Sequence, residues 1–170
     1  MKLAILGVSA ALLCGCGSDE SPPVLVDVSG AWGGSVRNVS NSCPGAFNVG
    51  ETNTIQLGIT QDGAKVDIKI EGVVGFFVNL AFGTDTFSGS LTSDKVEASL
   101  LGRKDNVEGA CTFKWTATIT GSVRDGKMNG KVTYKPNPVT GDCNMISSCS
   151  RVQSFDVEKN KLLSDAGTTG

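Results

Sequence analysis

The segment Lys65-Val-Asp-Ile-Lys-Ile-Glu71 alternates polar and apolar residues without a break. Val66, Ile68 and Ile70 fall on one side, and Lys65, Asp67, Lys69 and Glu71 on the other. A period of two is the side-chain period of a β-strand with one face buried and one in water. The pattern recurs along the chain. Phe113, Trp115, Ala117 and Ile119 share a face; Val96, Ala98 and Leu100 oppose Lys95, Glu97 and Ser99; Met128, Gly130, Val132 and Tyr134 oppose Lys127, Asn129, Lys131 and Thr133. Ile55, Leu57 and Ile59 make a further stripe, and Phe155 with Val157 another. No segment beyond the N-terminal apolar run shows helical spacing, so the chain reads as all-β.

Eight strands are predicted, near 30–37, 54–61, 65–71, 85–91, 95–102, 111–121, 127–135 and 151–158. Asp62-Gly63 and Asp125-Gly126 are strong hairpin turns, because glycine accepts the positive φ such turns need; Ser93-Asp94 is a weaker one. The remaining connections are long: 38–53, 72–84, 103–110 and 136–150. In an up-and-down order every tight turn then lies at one end and every long loop at the other. The eighth strand runs antiparallel to the first, so the sheet can close into an eight-stranded barrel and lose its edges. A β-sandwich of the same strands is the alternative. A weak repeat supports the meander: 89–100 aligns with 121–132, each reading as strand, tight turn, strand.

A chain of 170 residues suits one domain with short appendages. It contains no histidine, which excludes Ser-His-Asp and Cys-His catalysis and every histidine metal ligand. A net charge of -2 and a pI near 5.1 give no basic footprint for nucleic acid. Catalysis by paired carboxylates needs two acids converging on one cavity. The alternation instead sends Asp67, Glu71, Glu97, Asp156 and Glu158 outward, and Asp62, Asp94 and Asp125 sit in turns. The expectation is a protein that is not an enzyme, with no catalytic residue, cofactor or metal.

Met1-Lys2 is a short basic start, followed by the eleven-residue apolar run Leu3 to Leu13. That run is too short to span a bilayer and has the dimensions of a signal-peptide apolar region. The residues after it, Leu13-Cys14-Gly15-Cys16, resemble the lipobox of bacterial lipoprotein precursors. Cys14 is the poorer match, since bulky Leu13 precedes it. The resemblance implies cleavage after Gly15 and acylation of Cys16, which makes the membrane a partner through an N-terminal lipid anchor. Gly17, rather than Asp, follows the cysteine, and by the same resemblance this implies the outer membrane of a bacterial envelope. An ordinary cleaved signal is the alternative. The expected organisation is a signal peptide over 1–15, a solvated tether over 16–28, a β-barrel domain over 29–159 and a flexible tail over 160–170.

Four cysteines remain in the exported chain: Cys43, Cys111, Cys143 and Cys149. An even number in an oxidising compartment reads as two disulfides, and the absence of a Cys-x-x-Cys pair argues against zinc. All four fall near the loop-rich end. Cys43 lies just beyond the first strand and Cys149 just before the eighth, its neighbour in a closed barrel. Cys111 opens the sixth strand and Cys143 follows the seventh. Strand parity therefore favours Cys43–Cys149 with Cys111–Cys143. The rival is Cys43–Cys111 with a local Cys143–Cys149 bridge.

Gly30-Ala-Trp32 opens the first strand and resembles the Gly-x-Trp of the calycin barrels, the lipocalins and avidins. The resemblance implies a lipocalin-like barrel whose closed end is packed by Gly30 and Trp32. The lipocalin Thr-Asp-Tyr motif is absent, and Lys159 stands where an arginine would pack on the tryptophan. The unusual stretch is Gly72-Val-Val-Gly-Phe-Phe-Val-Asn-Leu-Ala-Phe-Gly83, apolar without alternation. It reads as a ninth strand or core flap, or else as an apolar lip on the barrel mouth, with Phe76, Phe77 and Phe82 as contacts. The functional expectation is a lipid-anchored, non-enzymatic binding module for a small apolar ligand or an envelope protein. The alternative is a structural surface lipoprotein with a solid core and no ligand.

Overall fold

A computed structural model describes residues 24–45 and 47–160. The expected signal peptide, lipidation site Cys16, most of the tether and the tail from 161 onward lie outside those residues. Among the described residues nine strands and one helix follow in order: β1 Gly30–Asn41, β2 Thr52–Asp62, β3 Lys65–Glu71, α1 Gly72–Phe82, β4 Thr86–Thr92, β5 Lys95–Leu101, β6 Asn106–Glu108, β7 Cys111–Arg124, β8 Lys127–Thr140 and β9 Arg151–Lys159. Every neighbouring pair is antiparallel. β1 to β5 pair in sequence, β5 pairs with β7, β7 with β8, β8 with β9, and β9 with β1. The result is a closed up-and-down barrel of eight strands, as the parity of the turns predicts. β6 is a three-residue addition on β7, inside the loop after β5.

The aligned repeat corresponds to two hairpins of equal register. Gly89 pairs with Ala98 and Leu91 with Val96 in one; Gly121 pairs with Gly130 and Val123 with Met128 in the other. The glycines leave room for close packing: a Cβ on Gly130 would stand 2.2 Å from the Thr120 carbonyl oxygen and 2.7 Å from Cζ of Phe155.

β8 runs to Thr140, through Pro136 and Pro138, further than its alternation suggests. The register supplies the reason. β9 pairs with β8 only up to Tyr134↔Arg151, so the prolines fall where β8 is bonded on one side alone. A residue without an N–H is tolerated on such an edge.

The turn-rich end is closed. Trp32 is 1% exposed and its indole N–H donates to the Val28 carbonyl at 2.8 Å. Residues 25–28, assigned to the tether by composition, pack on the barrel instead. Val28 is fully buried, and Leu25 and Val26 pack on the core. The Val26 N–H donates to the Ser93 carbonyl, and the Val28 N–H to Gln61 Oε1. The segment crosses the tight turns and caps the barrel. Lys159, paired with Trp32 across the sheet, reaches back to Asp27 at 2.9 Å.

The expectation of no helix is wrong for 72–82. Gly72, at φ +66°, turns the chain out of β3, and Gly83, at φ +74°, terminates α1 with its N–H on the Asn79 carbonyl. Apart from Asn79 the helix is apolar on both faces, so no amphipathic period reveals it. Val74, Gly75, Val78, Ala81 and Phe82 face the barrel, while Val73, Phe76, Phe77 and Leu80 face out. α1 touches β3, β2 and β7 and so crosses the open end.

Candidate functional site

The main core fills the barrel from Trp32 and Val28 at the closed end up through Ile68, Phe87, Leu100 and Val132. Above it, under α1, lies a cavity of about 410 Å³. Its apolar wall includes Val36, Val78, Phe82 and Trp115; its polar wall includes Tyr134, Arg151 and Gln153.

The polar wall follows from strand phase. On β9, Arg151 and Gln153 share the inward face with Phe155 and Val157; on β1, Asn38 continues the face of Trp32 and Val36. Inward positions therefore become polar at the mouth. They satisfy one another: the Tyr134 hydroxyl donates to Gln153 Oε1 at 2.7 Å, Gln153 Nε2 to Asn38 Oδ1 at 2.8 Å, and Asn38 Nδ2 to the Asn48 carbonyl at 2.9 Å. Burial pushes the Tyr134 phenol above its ordinary range, so it stays a neutral donor.

Arg151 stands between two rings, its Cζ 5.0 Å from the Trp115 centroid and 5.6 Å from that of Phe47. Its Nη2 donates to the Pro44 carbonyl at 2.6 Å, while its Nε is buried and has no partner. Burial lowers its pKa, and the charge of Glu108 acts in the opposite direction. Glu51 is the carboxylate on the cavity wall, its oxygens receiving the amides of Asn48 and Asn53.

Two disulfides frame this end, Cys43–Cys149 and Cys111–Cys143, with Cα separations of 4.9 and 4.8 Å. The parity argument selects this pairing over its rival. The cysteines form a second small core with Phe113 and Ile146. They hold the loops around the mouth, and they indicate an oxidising, extracytoplasmic environment.

The expected lip divides. Phe76 and Phe77 are 64% and 61% exposed and touch edge to face. Phe77 and Val73 also line the cavity, which puts them at its entrance. Phe82 is not a lip residue: it is 5% exposed and packs against Trp115 and Tyr134 with centroids 6.5 and 6.0 Å away. The loop after β5 draws it in, because the N–H groups of Arg103 and Lys104 both donate to the Phe82 carbonyl. Gly30 and Trp32 sit at the opposite, closed end. Sequence reasoning passed over Arg151, Gln153 and Asn38, although inward strand phase followed by a polar residue is the signal that marks them. The strand acids Asp67, Glu71, Glu97, Asp156 and Glu158 are exposed.

Among the described residues no helix is long and apolar enough to cross a membrane, and no three His, Cys, Asp or Glu side chains group as metal ligands. The fold and the mouth define a class, a calycin-like closed barrel with a packed base and a helix-covered cavity. The chain matches no protein-family model, and no curated protein or solved structure is significantly similar to it.

Proposed function

We propose that this chain is an envelope lipoprotein, anchored in the outer membrane by acylation of Cys16, whose barrel is a non-enzymatic binding module for a small apolar ligand. The observation that carries the binding role is the cavity of about 410 Å³ under α1. That volume lies in the range of roughly 300–1,000 Å³ typical of small-molecule sites, with the usual mostly apolar wall and few polar groups. The anchor is consistent with this use of the mouth. Residues 25–28 lie at the closed end, the pole opposite the cavity. Lipidation also suits a chain whose disulfides belong outside the cytoplasm.

The second reading, a structural lipoprotein without a ligand, is favoured by the solid packing of the lower barrel. Native mass spectrometry of the purified protein separates the two. A bound mass of a few hundred daltons, removed by organic extraction, supports the binding module; bare protein in repeated preparations supports the structural reading.

A further inference from the structure

We infer that the outward face of α1 is a self-association surface, on which two copies of this chain pack α1 against α1 as an antiparallel, two-fold pair. Val73, Phe76, Phe77 and Leu80 are 73%, 64%, 61% and 53% exposed. Their spacing is i, i+3, i+4 and i+7, which sets them in one stripe along the helix. That is the spacing with which one helix packs on another. α1 carries no charged residue, so nothing on the stripe opposes contact with a second apolar helix. The barrel does not cover it, since Val74, Val78 and Phe82 pack on the core from the other side.

Charge at the two ends of the stripe selects the occupant. Glu71 is the N-cap residue, and it lines a groove with Phe76, Asp85 and Lys69, two carboxylates against one ammonium. The C-terminal end carries two cations. Arg103 and Lys104 lie against Gly83, and Lys104 Nζ donates to the Leu80 carbonyl at 3.0 Å. Among the described residues none of Glu71, Asp85, Arg103 and Lys104 forms an ion pair. An antiparallel pair brings the acidic end of each α1 to the basic end of the other, twice over, with the helix dipoles opposed. A parallel pair would set like charges together. A bilayer would cover the stripe but gives no role to opposite charges at its ends.

Two such stripes bury roughly 900 Å² before flanking residues are counted, near the lower limit of specific interfaces. The dimer is therefore expected to be reversible, with Kd about 10–100 μM. The pairing is compatible with the anchor. Residues 17–24 reach about 26–29 Å at full extension, more than the outer radius of an eight-stranded barrel, roughly 13 Å. Two barrels lying end to end along one membrane keep both anchors in it.

Sedimentation equilibrium of the intact protein over concentrations bracketing that Kd tests this, with each variant run beside it so that any association through the N-terminus is common to all. The unmodified protein is expected to dimerise. Phe76→Ser with Phe77→Ser is expected to raise Kd by about tenfold or more. Glu71→Lys alone and Lys104→Glu alone are each expected to weaken the dimer, and the two together to restore it. Equal association in the serine variant, or a monomer at every concentration, would overturn the proposal. A monomer that floats with phosphatidylcholine vesicles through Phe76 and Phe77 would reassign the face to lipid and overturn it equally. Failure of the double charge swap to restore the dimer would overturn the antiparallel arrangement. Neither a ligand nor the acyl group enters the comparison, so its outcome is separate from the function proposed above.

Discussion

Tyr134 of β8 and Arg151 of β9 are the last paired residues of their ladder. Beyond them the two strands part, β8 continuing as a free edge and the chain before β9 leading into the Cys149 loop. The pair marks the level at which the barrel changes from a packed solid to an open mouth. One pair below, Gln153 stands beside Val132, and beneath them the inward residues are Phe155 and Val157; at the Tyr134–Arg151 level they are a half-buried phenol and a stacked guanidinium. Polarity enters the barrel at the level where the cavity opens.

The double change Phe76→Ser with Phe77→Ser is expected to leave the fold and melting transition nearly unchanged, within roughly 0.5 kcal/mol for each exposed site. Both rings face outward on α1. Phe82→Ala, at the end of the same helix, is expected to cost about 3–5 kcal/mol, because it empties a buried ring site. Chemical denaturation of the two variants checks the contrast. Equal destabilisation would mean that α1 is rotated from the orientation described.

The barrel was legible because antiparallel pairing leaves a local trace. Val66, Ile68 and Ile70 declare a face in seven residues, and Asp62-Gly63 declares the turn before them. Loop parity then placed Cys43 beside Cys149 and Cys111 beside Cys143. α1 was hidden because both of its faces are apolar: Val74 and Val78 pack inward while Phe76 and Phe77 face water, so no period survives. Val28 was hidden because Val24-Leu25-Val26-Asp27-Val28 is too short to declare a period. Arg151 was hidden by its place at a strand start, where an inward charge looks like the end of the strand. The site is thus built largely from residues whose role depends on what lies across the barrel.

The lipid anchor predicts a clean separation of behaviours. Cys16→Ala is expected to abolish globomycin-sensitive processing and membrane retention, since acyl chains supply the anchoring. Cys14→Ala is expected to retain both. Membrane fractionation and intact-mass measurement of the two variants check this; a protein still acylated in Cys16→Ala but not in Cys14→Ala would move the cleavage site.

Asp27 sets an acid limit on the closed end. Hydrogen bonds from the Ser29 hydroxyl, Lys159 and the Ser29 N–H hold its carboxyl down to about 2, from 3.8. A folded-state value below the unfolded one means the stabilisation is fully present above about pH 4 and is lost as pH falls through about 2. The stability difference between the unmodified protein and Asp27→Asn is expected to shrink over that interval and to be constant above it. Carboxyl chemical shifts give the midpoint directly. A midpoint at 3.8 would show that the Asp27–Lys159 clip over Trp32 does not hold in solution.

The two disulfides are expected to differ in what their removal costs. Cys43–Cys149 spans 106 residues and ties β1 to β9, while Cys111–Cys143 spans 32 and ties β7 to the loop after β8. Chain entropy grows with the logarithm of loop length, which gives about 4–5 kcal/mol for the longer and about 3–4 for the shorter. Both bridges lie on the mouth side of the barrel, away from Trp32. Paired alanine substitution of Cys43 and Cys149 is therefore expected to lower stability more than substitution of Cys111 and Cys143, and to loosen the Pro44 carbonyl that Arg151 uses. Urea titration gives the first quantity, and amide hydrogen exchange at the neighbouring Gly45 gives the second. Non-reducing peptide mapping is expected to recover a fragment linking Cys43 to Cys149. A fragment linking Cys143 to Cys149 would reject the pairing, and with it the framing of the mouth by its loops.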